Sequence, residues 1–197
     1  MNNPFTARSD WRFSFSPASS KVFPNETLED NFRPVSKRRV RMTDPTQDLI
    51  FRDAEASDIR EILDLIINGV PPGAPPRIED APLENYKAAF TAITEDPNHR
   101  LIVGELGGQV VATMQMIVIP TLPNGGMTRM ELESVHVSPE FRGGGIGRKL
   151  LDLAVEYARE KNAGVIQLTS NKSRKDAHRF YERFGFAQSH EGFKLYL

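Results

Sequence analysis

The residues best suited to chemistry form a glycine-rich loop at positions 142–147. Its members are Arg142, Gly143, Gly144, Gly145, Ile146 and Gly147, and Arg148 and Lys149 follow directly. Glycines allow several backbone N–H groups to converge on one point, and the start of a helix adds partial positive charge there. Because three cationic side chains surround that point, we interpret the loop as a cradle for phosphate groups rather than as a simple flexible turn.

Two common nucleotide-binding motifs do not fit this loop. A dinucleotide-binding G-x-G-x-x-G motif requires glycine at position 148 if it starts at Gly143, and at position 150 if it starts at Gly145. A P-loop that ends at Lys149 requires glycine at 148 and serine or threonine at 150. The sequence has Arg148 and Leu150 instead. The loop therefore predicts a pyrophosphate site of another design.

Two carboxylates precede the loop on the same predicted strand. Glu131 and Glu133 are two residues apart, and side chains at that spacing share one face of a strand. They suit a site that attracts a cationic group such as an ammonium. The same alternation puts His136 on the opposite face with Leu132 and Ser134, where we expect a structural role.

The hydrophobic pattern predicts the elements that position these residues. Strands are expected at about 49–52, 101–106, 109–119, 127–137, 165–169 and 193–197, with a two-residue turn at Gly107 and Gly108. Helices are expected at about 57–69, 83–93 and 176–184, and another follows the glycine loop. Asp58 and Glu61 have the spacing of a capping box for the first helix. The fold class is α/β or α+β, with a mixed, mostly antiparallel central sheet flanked by helices.

Composition argues against several classes of function. The 25 Lys and Arg residues nearly balance 26 Asp and Glu residues, which disfavours a nucleic-acid binder. Cysteine is absent, so thiolate metal sites, disulfides and a cysteine nucleophile are excluded, and the scattered histidines predict no metal site. No apolar run approaches the roughly 20 residues of a membrane-spanning helix, and the amino terminus lacks the apolar core of a secretory signal. We therefore expect a cytoplasmic protein without membrane contact.

The chain divides into two predicted regions. Residues 1–46 contain prolines at intervals and no sustained helical or strand period, which predicts a flexible N-terminal extension. Residues 47–197 form the predicted folded domain. The basic run at 37–41 is interpreted as part of a solvated linker, although a role in contacting phosphate stays open.

Three motifs in order resemble the GCN5-related N-acetyltransferase (GNAT) superfamily. Positions 142–147 match its Arg/Gln-x-x-Gly-x-Gly/Ala signature for acetyl-CoA. The preceding V-H-V-S-P-E-F at 135–141 is similar to the family's V-x-V-x-P-x-x motif, and F-Y-E-R-F-G-F at 180–186 is similar to its helix-to-strand phrase. The resemblance covers about three quarters of the chain and implies the GNAT fold.

The resemblance implies a binding site for acetyl-CoA as co-substrate. The loop at 142–147, with Arg148, would bind the pyrophosphate, and the backbone of Val135, His136 and Val137 would pair with the pantetheine arm and polarise the thioester. Asn171 resembles the family's asparagine that bonds the same arm.

The resemblance also implies direct transfer of an acetyl group to a primary amine of a small molecule. Glu133 occupies the family's common position for the general base and Glu131 an alternative one, and which of the two acts stays open. Tyr181 occupies a position often used for the acid that protonates the leaving thiolate.

The resemblance also implies a possible homodimer, as in other members of the superfamily. Three alternatives to this function stay open. They are an acetyl-CoA sensor without catalysis, an acetyltransferase that acts on a protein amine, and an interaction module that works through the basic extension. The sign of the acceptor's charge stays open, because Arg77 in the Pro-rich stretch at 70–82 would suit an anion.

Overall fold

The computed structural model describes residues 48–69 and 81–196. The predicted extension at 1–46 and Arg77 lie outside the described residues. The boundary between extension and domain therefore stays a prediction.

Five strands form one sheet in the order β1-β2-β3-β4-β5. The strands are β1 (Leu49–Asp53), β2 (His99–Leu106), β3 (Gln109–Ile119), β4 (Thr128–Val137) and β5 (Ala163–Leu168). The first four pair antiparallel, and β4 pairs parallel with β5. The prediction of a mixed, mostly antiparallel sheet is confirmed.

Four longer helices flank this sheet. They are α1 (Ile59–Asn68), α2 (Leu83–Glu95), α3 (Ile146–Glu160) and α4 (Lys175–Phe184). Helix α3 supplies the parallel crossover between β4 and β5, which needs a long connection. Short helical segments at Ala56–Asp58, Pro123–Gly126 and Pro139–Phe141 complete the described elements.

The two faces of the sheet have different surroundings. On one face, α3 buries Leu150, Leu151 and Ala154 against a methionine-rich core. That core includes Met114, Met116 and Met130, each fully buried. On the other face, Ile62 and Leu65 of α1 pack against Val103 and Val110. The second face also carries the polar residues described below.

Two local predictions are corrected by the structure. The segment at 193–196 is not a strand, and Phe193 and Leu195 are exposed. The capping box lies one turn earlier than predicted, between Glu55 and Asp58, and Glu61 instead accepts a hydrogen bond from the Val110 N–H at 3.4 Å. Asp58 is the N-cap residue of α1 as predicted, but its side chain makes no capping bond there, because it accepts from Arg52 and from the Glu55 N–H instead.

Asp58 is a buried carboxylate held by Arg52 of β1. Two guanidinium nitrogens of Arg52 donate to it at 2.7 and 2.9 Å, and the backbone N–H of Glu55 donates at 2.7 Å. Arg52 also donates to Glu105 of β2 at 2.9 Å. These bonds connect the start of α1 to two neighbouring strands. The hydrogen bonds from Arg52 hold the pKa of Asp58 below its usual range against the opposing effect of burial.

None of the helices in the described ranges is long and apolar enough to cross a lipid bilayer.

Asp58→Asn is expected to destabilise the fold by about 2 kcal/mol, because it removes charged hydrogen bonds of a part-buried ion pair. The lowered pKa means that the pair stabilises the protein above the unfolded pKa of aspartate, near 3.9, and that this stabilisation is lost as pH falls through the lower folded-state pKa. Urea unfolding between pH 7 and pH 2 measures both effects, and the variant should lack this acid-dependent loss.

Asp53→Asn is the matched control, since Asp53 accepts from Arg100 at 2.7 Å on the surface. It should cost less than about 1 kcal/mol. Equal costs at the two positions would contradict a special role for the Arg52–Asp58 pair.

Candidate active site

The central feature of the site is the edge of β4 that faces β5. Parallel pairing ends at Leu132 and Leu168, but β4 remains paired with β3 as far as Val137. Within the described residues, no strand pairs with β4 on this edge beyond Leu132. The backbone from Glu133 to Val137 is therefore available to an extended ligand, as a strand edge is available to another strand.

The glycine loop follows this edge and has the geometry of an anion cradle. Gly143 and Gly145 have φ values of +82° and +85°, and a Cβ at either position would project into open space. Gly145 is the N-cap of α3, and the first N–H groups of a helix have no acceptors within it. Ile146, only 1% exposed, anchors the loop in the core. The backbone therefore fits the pyrophosphate that the sequence motif implies.

Gly147 allows α4 to approach the loop closely. A Cβ at this position would lie 3.1 Å from Cζ of Phe180. The neighbouring Tyr181 packs against Phe180 and Phe186, with ring centroids 5.3 and 5.7 Å away. Burial raises the pKa of the Tyr181 phenol above its usual value, and the charge of Arg174 opposes this effect. Tyr181 therefore stays protonated over a wide pH range.

Glu131 and Glu133 lie on one face of the sheet. They pair with Ile117 and Gln115 of β3, which are themselves two residues apart. Glu131 is held in place, because the amide of Gln167 donates to its carboxylate at 2.6 Å.

Glu133 has an exposed side chain with altered acidity. The surrounding protein desolvates its carboxylate and the charge of Glu131 repels it, and together these effects raise the pKa of Glu133 above the usual range. Lys194 and the backbone N–H of Ser134 oppose the shift. A carboxylate with a raised pKa is a stronger proton acceptor than an ordinary glutamate.

The predicted orientation of His136 is wrong. Register shifts by one residue between the pairs Gln115–Glu133 and Thr113–His136, so Ser134 and Val135 oppose the single residue Met114. Ser134 has a φ of +51° at this β-bulge. The extra residue reverses the alternation and moves His136 onto the face of the glutamates.

His136 is packed tightly on that face. Its Nδ1 is buried and has no hydrogen-bond partner among the described residues, and a Cβ on Gly69, directly after α1, would clash with the imidazole. Burial, aided by the charges of Arg174 and Arg142, lowers the pKa of His136 to about 4. The imidazole is therefore neutral at physiological pH.

Three other predicted site residues have local partners. Arg142 donates from Nε to the carbonyl of Val137 at 3.1 Å, at the end of β4. Arg148 lies over the Phe184 ring at 4.6 Å and pairs with Asp152. The side-chain oxygen of Asn171 accepts hydrogen bonds from the N–H and hydroxyl of Ser173. Their predicted contacts with the cofactor stay predictions.

Three residues of the site belong to none of the sequence motifs: Arg174, Lys194 and Gln115. Arg174 acts electrostatically on His136 and Tyr181, and Lys194 acts on Glu133. Gln115 pairs with Glu133 across the sheet. Only the pairing of β3 with β4 reveals the position of Gln115, since nothing in its local sequence marks it.

The sequence profile of the Acetyltransferase (GNAT) family matches residues 64–186, more than half of the chain. The chain belongs to this family. Its similarity to a solved structure of a transcriptional regulator from Bacillus halodurans reaches a TM-score of 0.70 at 36% identity, covering 76% of this chain and 99% of the other. The predicted family and the GNAT fold are thereby confirmed.

Two enzymes illustrate the range of its relatives. The chain is 35% identical over 105 residues to the aminoalkylphosphonate N-acetyltransferase of Salmonella typhimurium, covering 53% of this chain and 68% of the relative. It is 29% identical over 146 residues to the glucosamine 6-phosphate N-acetyltransferase of Trypanosoma brucei brucei, and this match covers 73% of this chain and 92% of the relative. Together with the family match, these relatives identify this GNAT protein as an acetyltransferase, and the family's acyl donor is acetyl-CoA.

Gly145→Asp is expected to abolish stabilisation by coenzyme A, because it places a side chain and a negative charge in the cradle. Saturating ligand, at about 100 times its dissociation constant, stabilises the wild-type protein by roughly 2.7 kcal/mol. Thermal unfolding with and without coenzyme A measures this difference.

Gly108→Asp is the matched control, since Gly108 has a φ of +82° and equally open surroundings in the β2–β3 turn. Both substitutions place an L-residue in the left-handed region at a similar cost. Only Gly145→Asp should lose the response to coenzyme A, and loss of the response in both variants would argue against the cradle.

Proposed function

We propose that this GNAT protein transfers an acetyl group from acetyl-CoA directly to a primary amine of a small molecule. The observation that carries the proposal is the free edge of β4 between the glycine loop and Glu133. A donor bound along this edge would have its phosphates at the loop and its thioester near the glutamates. Bound acetyl-CoA supplies an activated acetyl group, and direct transfer requires the amine in the same complex.

The free backbone of β4 would orient the donor. Val135, His136 and Val137 present N–H and C=O groups in an extended conformation next to the cradle. A backbone N–H directed at the thioester carbonyl would stabilise the negative charge that develops there, an effect worth about 3 to 4 kcal/mol per donor in other enzymes.

Glu133 would act as the general base. An alkylammonium has a pKa near 10, so it must lose a proton before it attacks. Glu133 combines solvent access with a raised pKa, whereas Glu131 is hydrogen-bonded to Gln167. We therefore assign proton abstraction, directly or through water, to Glu133, and electrostatic attraction of the ammonium to both carboxylates.

Tyr181 would act as the general acid. Its phenol is protonated at neutral pH and lies on α4, which packs against the start of α3 through Phe180 and Gly147. A thiolate has a pKa near 8.5, so a phenol within reach can return a proton as the sulfur leaves.

The named substrates of two relatives support a small-molecule acceptor. Both relatives are N-acetyltransferases whose acceptors, aminoalkylphosphonates and glucosamine 6-phosphate, are small amines. The paired carboxylates suit the positive charge that such an amine carries before deprotonation.

Glu133→Gln is expected to lower kcat by about 10²- to 10⁴-fold, the usual contribution of a general base. Activity of the wild type should fall as pH decreases through the raised pKa of Glu133, because the protonated carboxyl accepts no proton. Thiol release from acetyl-CoA with a saturating amine, measured across pH, gives both quantities.

Glu131→Gln is the companion variant for this test. Desolvation still raises the pKa of Glu133 in this variant, but the added repulsion from Glu131 is gone, so the acidic limb of the pH profile should move to lower pH while most of kcat remains. The opposite pattern, with the large loss of kcat in Glu131→Gln, would assign the base to Glu131.

Tyr181→Phe is expected to lower kcat by at least about 100-fold, because it removes the proton donor. Its affinity for acetyl-CoA should stay within about twofold, since the ring and its packing are retained. Tyr157→Phe, at a buried position of α3 outside the site, is the control and should retain full activity. Unchanged kcat in Tyr181→Phe would exclude the phenol as the acid.

A further inference from the structure

A groove with a volume of about 160 Å³ opens on the face of the glutamates, between α1 and α2. Its walls are mostly apolar side chains of the two helices, and its floor is formed by three sheet residues, Leu101, Gln115 and Ser134. None of the described residues that line it carries a charge. The groove therefore offers an apolar surface beside a charged site.

Helix α2 presents an incompletely covered apolar face to this groove. Phe90 and Ile93 line it and are only half-buried, and none of the residues of α2 is fully buried. Exposed apolar surface of this kind is costly unless a ligand covers it. The groove thus has the composition of a binding site for a hydrocarbon or aromatic group.

The floor of the groove adjoins the proposed base. Gln115 pairs with Glu133 across the sheet, and Ser134 follows Glu133 in the bulge. An amine whose nitrogen lies at Glu133 therefore has its carbon skeleton directed toward the groove or toward solvent. Among the described residues that line the groove there is no cation to replace the hydration that a phosphate would lose there.

Gln115 has an orientation that suits an amine. Its Nε2 lies 2.9 Å from Nδ1 of His99, and His99 Nε2 lies 3.8 Å from a carboxylate oxygen of Asp96. In the tautomer whose Nε2–H points toward Asp96, Nδ1 of His99 accepts a hydrogen bond from the amide of Gln115. This arrangement leaves Oε1 of Gln115 as a hydrogen-bond acceptor at the groove floor.

We propose that the acceptor of this enzyme is a primary amine on an apolar body, with the body in the α1–α2 groove and an N–H donated to Gln115. The inference rests on the proposed function and specifies its substrate class. It separates this chain from the two relatives described above, whose named acceptors carry an anionic group.

The first test compares linear alkylamines from ethylamine to hexylamine with 2-aminoethylphosphonate at saturating acetyl-CoA. The ammonium pKa barely changes along the alkyl series, so the comparison isolates burial of the chain. Each methylene that enters the groove should raise kcat/KM roughly fourfold, from about 0.8 kcal/mol per buried CH₂. The phosphonate should be a poorer substrate than butylamine.

The outcomes of this test separate the two proposals. A flat alkyl series, or preference for the phosphonate, would overturn the inference while the proposed function stands. If no amine releases thiol although the protein binds coenzyme A, the proposed function fails as well.

Phe90→Asp tests the groove itself and should abolish the dependence of kcat/KM on chain length. Thr91→Asp adds the same charge on the exposed side of α2 and should leave the dependence unchanged. Because α2 has no fully buried residue, both variants should fold, which thermal unfolding checks. A chain-length dependence that survives Phe90→Asp would place the apolar body elsewhere and overturn the inference.

Gln115→Leu should raise the KM for hexylamine about tenfold with a smaller change in kcat, as expected for a lost hydrogen bond to the acceptor. Gln109→Leu, at the exposed start of β3, is the control. An unchanged KM in Gln115→Leu would contradict the assigned contact.

Discussion

The separation of β4 from β5 is the constraint on which the rest of the site depends. Every backbone N–H and C=O group needs a partner or water. β4 keeps its partners on β3 to Val137 but loses those on β5 after Leu132. The bulge at Ser134 lies directly after this point, and bulges increase the local twist of a strand. The sheet itself therefore leaves this edge of β4 without a strand partner among the described residues, which is why an extended ligand can complete it.

The two faces of the sheet contribute different parts of the site beside this edge. On the α3 face, buried methionines and Ile146 fix the start of the helix, so the backbone of the cradle is positioned before any ligand arrives. On the other face, the polar residues cluster where α1 and α2 leave the sheet partly uncovered. Glu131 and Glu133 share this space: Gln167 holds Glu131 by a hydrogen bond, while desolvation and the charge of Glu131 raise the pKa of Glu133.

Much of this arrangement is encoded locally and follows from the sequence alone. Hydrophobic periodicity predicts the order along the chain of the five sheet strands and the four longer helices. The turn at Gly107 and Gly108 and the glycine loop are predicted because glycine freely adopts the backbone conformations that they need. The pair Glu131 and Glu133 shares a face because strand alternation holds across Leu132, the one residue between them. None of these features depends on which strand lies beside another in the sheet.

Other features were decided only by tertiary structure. The bulge at Ser134 exists relative to β3, so the face of His136 depends on a register that local alternation does not contain. The bond from Arg52 to Glu105 likewise joins β1 to a strand far away in the sequence. The groove and the position of Gln115 arise from elements distant in sequence. Sequence therefore determined the elements and the chemical groups, and long-range packing decided which groups meet, because contact across a sheet depends on pairing rather than on spacing along the chain.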